Sequence, residues 1–275
     1  MAGIRAIGRA KLRRTSVARP TATTTLSHRA RRAAPPSLAD TAYVAIREEI
    51  LRGQLRPGTA LSRRRLALEL GMSVLPVTDA LRRLEADGLV ESRPRAGTRV
   101  RIPSPKDIRD LYELREALES QSARLFAERA TPAQRLELQQ LAGQVDALFR
   151  ELATRPNDPG FRFKVHSRHV RLHLHIAEHA ASPLLTEMIE RQHVLVLNWL
   201  FDVSARRTPL PANFHSDLAA ALVSDDPSVA DAAMRAHVRY GLVEITDNFG
   251  VYGSAEWRER RREQPKRRWP NTKKS

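Results

Sequence analysis

Cysteine is absent from all 275 residues. Without thiols the chain has no disulfides, no thiolate zinc ligands and no cysteine nucleophile, and its composition suits a reducing cytoplasm. Long apolar runs are also missing. The longest, Val194 to Phe201, is interrupted by Asn198 and is far short of the ~20 residues that a bilayer requires, so no membrane role is expected. Acidic residues are missing from Met1 to Pro36. That segment has no apolar core of a secretory signal and no sustained helical or strand period, so it reads as a disordered tail, although an Arg- and Ser-rich, acid-free start also resembles an organellar transit peptide.

Positive charge is abundant. Lys and Arg number 47 against 31 Asp and Glu, a formal net charge of +16. Such a balance favours polyanionic partners, nucleic acid before anionic membrane. A second basic tail, residues 251–275, holds Arg260-Arg261-Arg262 and Lys266-Arg267-Arg268. It fits a solvated tail or a phosphate-gripping arm equally well.

Between the tails, the chain divides at residues 103–106, where Pro103-Ser104-Pro105 cannot lie inside a helix. Residues 37–102 contain Ser37-Leu38-Ala39-Asp40, which resembles a capping box, and then a helical stripe of Tyr43, Ile46, Ile50 and Leu51 that stops at Gly53. Ser62 is placed to cap a short helix from Arg63 to Leu70, ended by Gly71. Ser73 is placed to cap a third, from Val74 to about Asp87, with Val77, Ala80, Leu81 and Leu84 inward. Leu89 to Ser92 and Thr98 to Ile102 read as two strands joined by Arg93-Pro94-Arg95-Ala96-Gly97. Three helices and a basic-tipped hairpin make a winged helix-turn-helix. The second unit, residues 107–250, is helical throughout. The expected fold class is mainly α, a winged helix-turn-helix followed by an all-α bundle.

Eight of the nine histidines lie after residue 160. On a helix from about Val165 to Ala181, His169 and His173 share the apolar face with Val165, Leu172, Ile176 and Ala180. His175 and His179 point away and read as surface residues, with His166 at the stripe's edge. His215 shares a face with Leu218, Ala219 and Leu222, and His237 one with Ala230, Ala233, Met234 and Gly241. Uncharged imidazole is a common ligand for divalent transition metals. A lone histidine on an apolar face is more often a satisfied core residue. Four such residues from three helices make a metal site a real alternative.

The segments AIREEILRGQLRPGTALS, LALELGMS, PVTDALRRLEADGLVE and RPRAGTRV, within Ala42 to Val100, resemble the DNA-binding domain of GntR-family regulators. The resemblance implies that the third helix enters the major groove and that Ser73, Val74, Leu75 and Thr78 face bases. Family members usually carry Arg at the positions of Val74 and Thr78 and a polar residue at that of Leu75. This chain lacks both arginines, so its operator should depart from the family consensus or depend more on DNA shape. Arg64 matches a position that meets DNA, and Arg95 and Gly97 form the tip of a wing used in the minor groove. Arg82 and Arg83 are phosphate contacts or plain surface residues.

The segments DLYELREALES, HVRLHLHIAEHAASPLL, FHSDLAAALVSDD and AAMRAHV, within Asp110 to His237, resemble the FCD class of GntR sensor domains. The metal set implied by the resemblance is His173, His215 and His237, with His169 standing where the family has Asp. An all-imidazole set leans toward Zn²⁺, Ni²⁺ or Co²⁺. The resemblance also implies a small organic acid effector. Arg115 matches a cavity-facing position fit for a carboxylate, or else forms a surface salt bridge with Glu119 four residues on. Asn198 is a second candidate for the same cavity. The expected whole is a cytoplasmic homodimeric regulator, most simply a repressor, on a near-palindromic double-stranded DNA operator. Two rivals stand beside it. A metal hydrolase would need an acidic base that no spacing ties to the histidines, and a non-specific basic binder would not need the two-domain pattern.

Overall fold

A computed structural model describes residues 35–155, 158–203 and 210–248. The expected basic tails lie outside these residues, apart from Pro35 and Pro36.

Helix α1 (Leu38–Leu51) opens on a capping box. Ser37 Oγ accepts from the Asp40 backbone N–H, and the Asp40 carboxylate accepts from the Ser37 backbone N–H. Strand β1 (Ala60–Leu61) leads into α2 (Arg63–Leu70), whose Arg65 N–H is capped by Ser62 Oγ at 3.3 Å. The helix ends at Gly71 with φ +66, a left-handed turn that suits glycine. Helix α3 (Val74–Ala86) follows, with Ser73 at its N-cap position. Contrary to the sequence reading, the Ser73 side chain makes no capping hydrogen bond. Strands β2 (Val90–Arg93) and β3 (Gly97–Val100) form the wing.

The sheet has three antiparallel strands in the order β1-β3-β2, where two were expected. Two residues cannot display an alternating pattern, so β1 had no signature of its own. Ala42, Ile46, Ile50, Leu66, Val77, Leu84, Leu89 and Val100 form the core of this unit. Truncating one such leucine to alanine costs about 2–5 kcal/mol.

Six helices follow: α4 (Pro105–Arg129), α5 (Pro132–Thr154), α6 (Pro159–His179), α7 (Pro183–Val203), α8 (Phe214–Leu222) and α9 (Pro227–Asn248). Pro105 is the first residue of α4, where a missing N–H costs nothing, and Ser104 with Asp107 closes a second capping box. Helices α4 and α9 run against each other, and Gly241 permits the approach. A Cβ there would sit 3.2 Å from the Tyr112 ring. Helix α6 packs against α4, α5 and α7, so it buries more than one face. Leu195 on α7 packs against the cores of both units.

Candidate functional site

The reading surface of the N-terminal unit is exposed. Val74 and Leu75, at 42% and 69% exposure, open α3 with apolar side chains facing solvent. Neither is anchored in the core. Thr78 is half-buried, and its hydroxyl donates to the Val74 carbonyl at 2.9 Å. Its remaining capacity outward is as an acceptor.

Arg64 is exposed and, among the described residues, has no ion-pair partner, unlike Arg65, which holds Glu69 at 2.7 Å. Arg82 pairs with Asp79 at 3.4 Å and Arg83 with Asp40 at 2.5 Å. Arg83 also lies over the Tyr43 ring at 4.3 Å. At the wing tip, Arg95 has φ +61 and Gly97 φ +77. Nothing lies within 4 Å of the position a Gly97 Cβ would take, so the backbone is open to an incoming phosphate or groove wall.

The second unit holds its polar chemistry inside. Three Nε2 atoms meet on helices α6 and α9. His169 and His173 are 3.0 Å apart, His169 and His237 3.3 Å, and His173 and His237 3.2 Å. Ligands bonded at about 2.0–2.1 Å in a tetrahedral site are separated by about 3.3 Å, so these spacings are those of three imidazoles sharing one ion. Burial drives the His169 and His237 imidazoles well below the usual histidine range, and neighbouring histidines add to the effect. Both are therefore uncharged, as ligands must be.

The surrounding residues orient these rings. Glu119 on α4 lies against His173 Nδ1, which favours a proton there and leaves Nε2 with its lone pair, the carboxylate–histidine arrangement of metal sites. Burial pushes Glu119 up, but Arg115, His173 and His193 outweigh it and hold the carboxyl well below its usual range. His215 stands beside the trio, its ring 4.8 Å from that of His169 and 5.4 Å from that of His237. Asp146 on α5 faces His215 Nδ1 at 2.7 Å and accepts from the Ser216 hydroxyl at 2.6 Å. Burial raises the Asp146 pKa, yet these hydrogen bonds bring it down to about 2. An ionised carboxylate only accepts, so His215 Nδ1 carries the proton and Nε2 the lone pair.

Arg115 lines the same cavity and also donates from Nε to Glu119 at 2.7 Å, with its guanidinium 4.7 Å from the centre of the Tyr112 ring. The pair with Glu119 exists, but it is buried rather than on the surface. The Asn198 side chain lies outside the described residues. His175, expected on the surface, is fully buried, because Phe126 of α4 and the Gln134 turn of α5 cover its ring. His193, Glu119 and Asp146 were not singled out as site residues in the sequence. A signal existed for the two acids. Asp146 follows Leu138, Ala142 and Val145 on the apolar face of α5, and Glu119 continues a stripe from Tyr112 through Arg115 to Ala123.

An exposed winged helix-turn-helix joined to a helical bundle around a buried histidine cluster has the architecture of a DNA-binding transcriptional regulator. Residues 38–100 match the family described as bacterial regulatory proteins, gntR family, and residues 110–240 match the FCD domain. The chain belongs to the GntR family of transcriptional regulators and carries an FCD domain; these families consist of regulators, not enzymes.

An HTH-type transcriptional regulator from the TAR-I ttuE-ttuC' intergenic region of Agrobacterium vitis is 41% identical over 86 residues, 31% of this chain and 50% of that protein. The chain thus spans only half the length of that relative. A probable D-xylose utilization operon transcriptional repressor of Paenarthrobacter nicotinovorans is 29% identical over 192 residues, 69% of this chain and 80% of that protein. The solved structure of E. coli McbR/YncC superposes with a TM-score of 0.63 at 23% identity, covering 78% of this chain and all of the other, which establishes the shared fold.

Proposed function

We propose that the chain is a sequence-specific repressor, homodimeric and cytoplasmic, whose DNA affinity is set by a small organic acid bound at a metal-bearing histidine site. Residues 37–102 read a near-palindromic operator through Arg64, Ser73, Val74, Leu75, Thr78, Arg95 and Gly97. Residues 107–250 sense and dimerise. His169, His173 and His237 hold a divalent transition metal, with His215 adjoining and Glu119 and Asp146 orienting the imidazoles. Zn²⁺, Ni²⁺ or Co²⁺ suits such donors. When bound, the ion supplies a Lewis-acidic point for a carboxylate, and Arg115 on the cavity wall supplies a guanidinium for the same group.

The observation that carries the reading is that helix α7 serves both sites. His193 is buried on α7 with Nε2 3.5 Å from Glu119. Two residues before it, Arg191 reaches Asp87 at the end of α3 (3.6 Å), and two residues after it, Leu195 packs beside Gly88. Asp87 in turn accepts from the Tyr43 hydroxyl of α1 at 2.6 Å. A ligand that displaces Glu119 or His193 therefore acts on a helix braced against the recognition helix. Regulation follows if the ligand binds one arrangement better than the other.

The test is enrichment of genomic DNA by the purified protein at near-physiological salt, beside His173→Ala. A sharp inverted repeat bound by both proteins, and released by a candidate acid from wild type alone, supports the reading. Flat enrichment that vanishes at higher salt would mean that charge alone binds DNA, and the proposal fails.

A further inference from the structure

A second histidine cluster lies at the C-terminal end of α6, beside α5. His175 and His179, one turn apart, face Glu137 on α5, and one ligand atom from each lies within 4.8 Å of the other two. The imidazole rings are 4.5 Å apart, nearly perpendicular. His175 is fully buried against Phe126. Its Nε2 is 3.1 Å from the Gln134 carbonyl oxygen, which only accepts, so Nε2 carries the proton and donates. The tautomer is thereby fixed, and Nδ1 keeps its lone pair.

That Nδ1 is buried and, among the described residues, has no hydrogen-bond partner. The nearest carboxylate oxygen, Glu137 Oε1, is 4.0 Å away, beyond hydrogen-bonding reach and, with no proton on Nδ1, offering only another lone pair. A lone pair beside a carboxylate oxygen and a second imidazole is a set of three electron-pair donors that one cation can share.

We propose that Glu137, His175 and His179 form a second, peripheral site for a divalent transition metal. His175 binds through Nδ1, with its other nitrogen held by a backbone carbonyl in the manner of metal-bound histidines. Two imidazoles and one carboxylate suit Zn²⁺, Ni²⁺ or Cu²⁺ over Mg²⁺ or Ca²⁺. Glu137 is exposed and His179 half-buried, so solvent reaches the site and water completes the coordination. An ion there ties the C-terminal end of α6 to α5. The site shares no ligand with the His169, His173 and His237 cluster.

The experiment uses the full chain, stripped with chelator and dialysed against Zn²⁺, with bound zinc measured by elemental analysis. His179→Ala is expected to bind one zinc fewer per chain than wild type, and Glu137→Gln to weaken the same equivalent about tenfold or more. His173→Ala is expected to leave that equivalent intact. The readout is the difference between chains, so it holds whether or not the central cluster takes an ion. Should His179→Ala lose helicity by circular dichroism, His179→Gln replaces it. Equal zinc content in wild type and a folded His179 variant overturns the proposal, as does loss of the equivalent with Glu137→Gln unchanged from wild type.

Discussion

The two units solve opposite problems. Among the described residues, the winged unit buries Thr59 and Thr98 as its only polar side chains and keeps every charge outside. The helical unit buries Arg115, Glu119, Asp146, Arg162 and six histidines. Burying an ionisable group is unfavourable unless it is paired or changes its protonation. A fold that carries ten such groups holds them for chemistry, while the winged unit leaves its chemistry at the surface, where DNA meets it. The first unit therefore should be fragile to packing changes and tolerant of charge changes. The second, which has a buried apolar core of its own, should be fragile to charge changes as well.

The largest expected effect tests that contrast directly. Glu119→Ala strands the Arg115 guanidinium in the bundle and should cost about 3–5 kcal/mol, read as a drop in urea midpoint. A loss below ~1 kcal/mol would mean that Arg115 is not left uncompensated when Glu119 is removed. Next is Arg64→Ala. It should weaken operator binding by about 1–3 kcal/mol and leave the thermal midpoint in place, with a shallower salt dependence; fluorescence anisotropy at several salt concentrations separates the two.

A third effect lies in pH. Asp146 titrates at about 2 in the folded chain against ~3.9 for a free aspartate. Its contribution is fully present above the unfolded value and is lost as pH falls from about 4 toward 2. Asp146→Asn should flatten the acid side of the stability curve, and parallel curves for the two chains would remove the assignment. The smallest is Ser62→Ala, which uncaps α2 and should cost about 1 kcal/mol in a melt.

The contrast also explains what the sequence disclosed. In the winged unit each boundary had a local cause. Ser37 and Ser62 cap, Gly71 turns left-handed, and Val77, Ala80, Leu81 and Leu84 keep a clean helical period, so the fold was legible. Strand β1 was not, because Ala60 and Leu61 pair only with distant β3. In the bundle, His169, His173 and His237 were legible because each shares its helix face with apolar neighbours. His175 was misplaced because a single apolar stripe was assumed for α6, and that helix is covered on two sides. His193 escaped notice although it follows buried Ile189 by one turn. Glu119 and Arg115 sit on one helix face, which a surface pair and a buried pair satisfy equally. Only the packing of α9 and α7 over α4 decides between them.

The triangle of Nε2 atoms has a further consequence, one of parity. A hydrogen bond joins a nitrogen bearing a proton to one bearing a lone pair. Three mutual neighbours, all within 3.3 Å, cannot be assigned so that every side of the triangle joins unlike members. At least one side always faces like with like. With the His173 proton drawn to Nδ1 by Glu119, a proton can sit on the Nε2 of His169 or on that of His237, and neither choice satisfies every side, the condition that makes a small magnet on a triangular lattice fluctuate. An ion at the centre asks all three nitrogens for the same thing and ends the contest. The nitrogen resonances of these histidines should therefore be broad and exchanging in chelated protein and sharpen on loading, which makes the cluster its own reporter of occupancy.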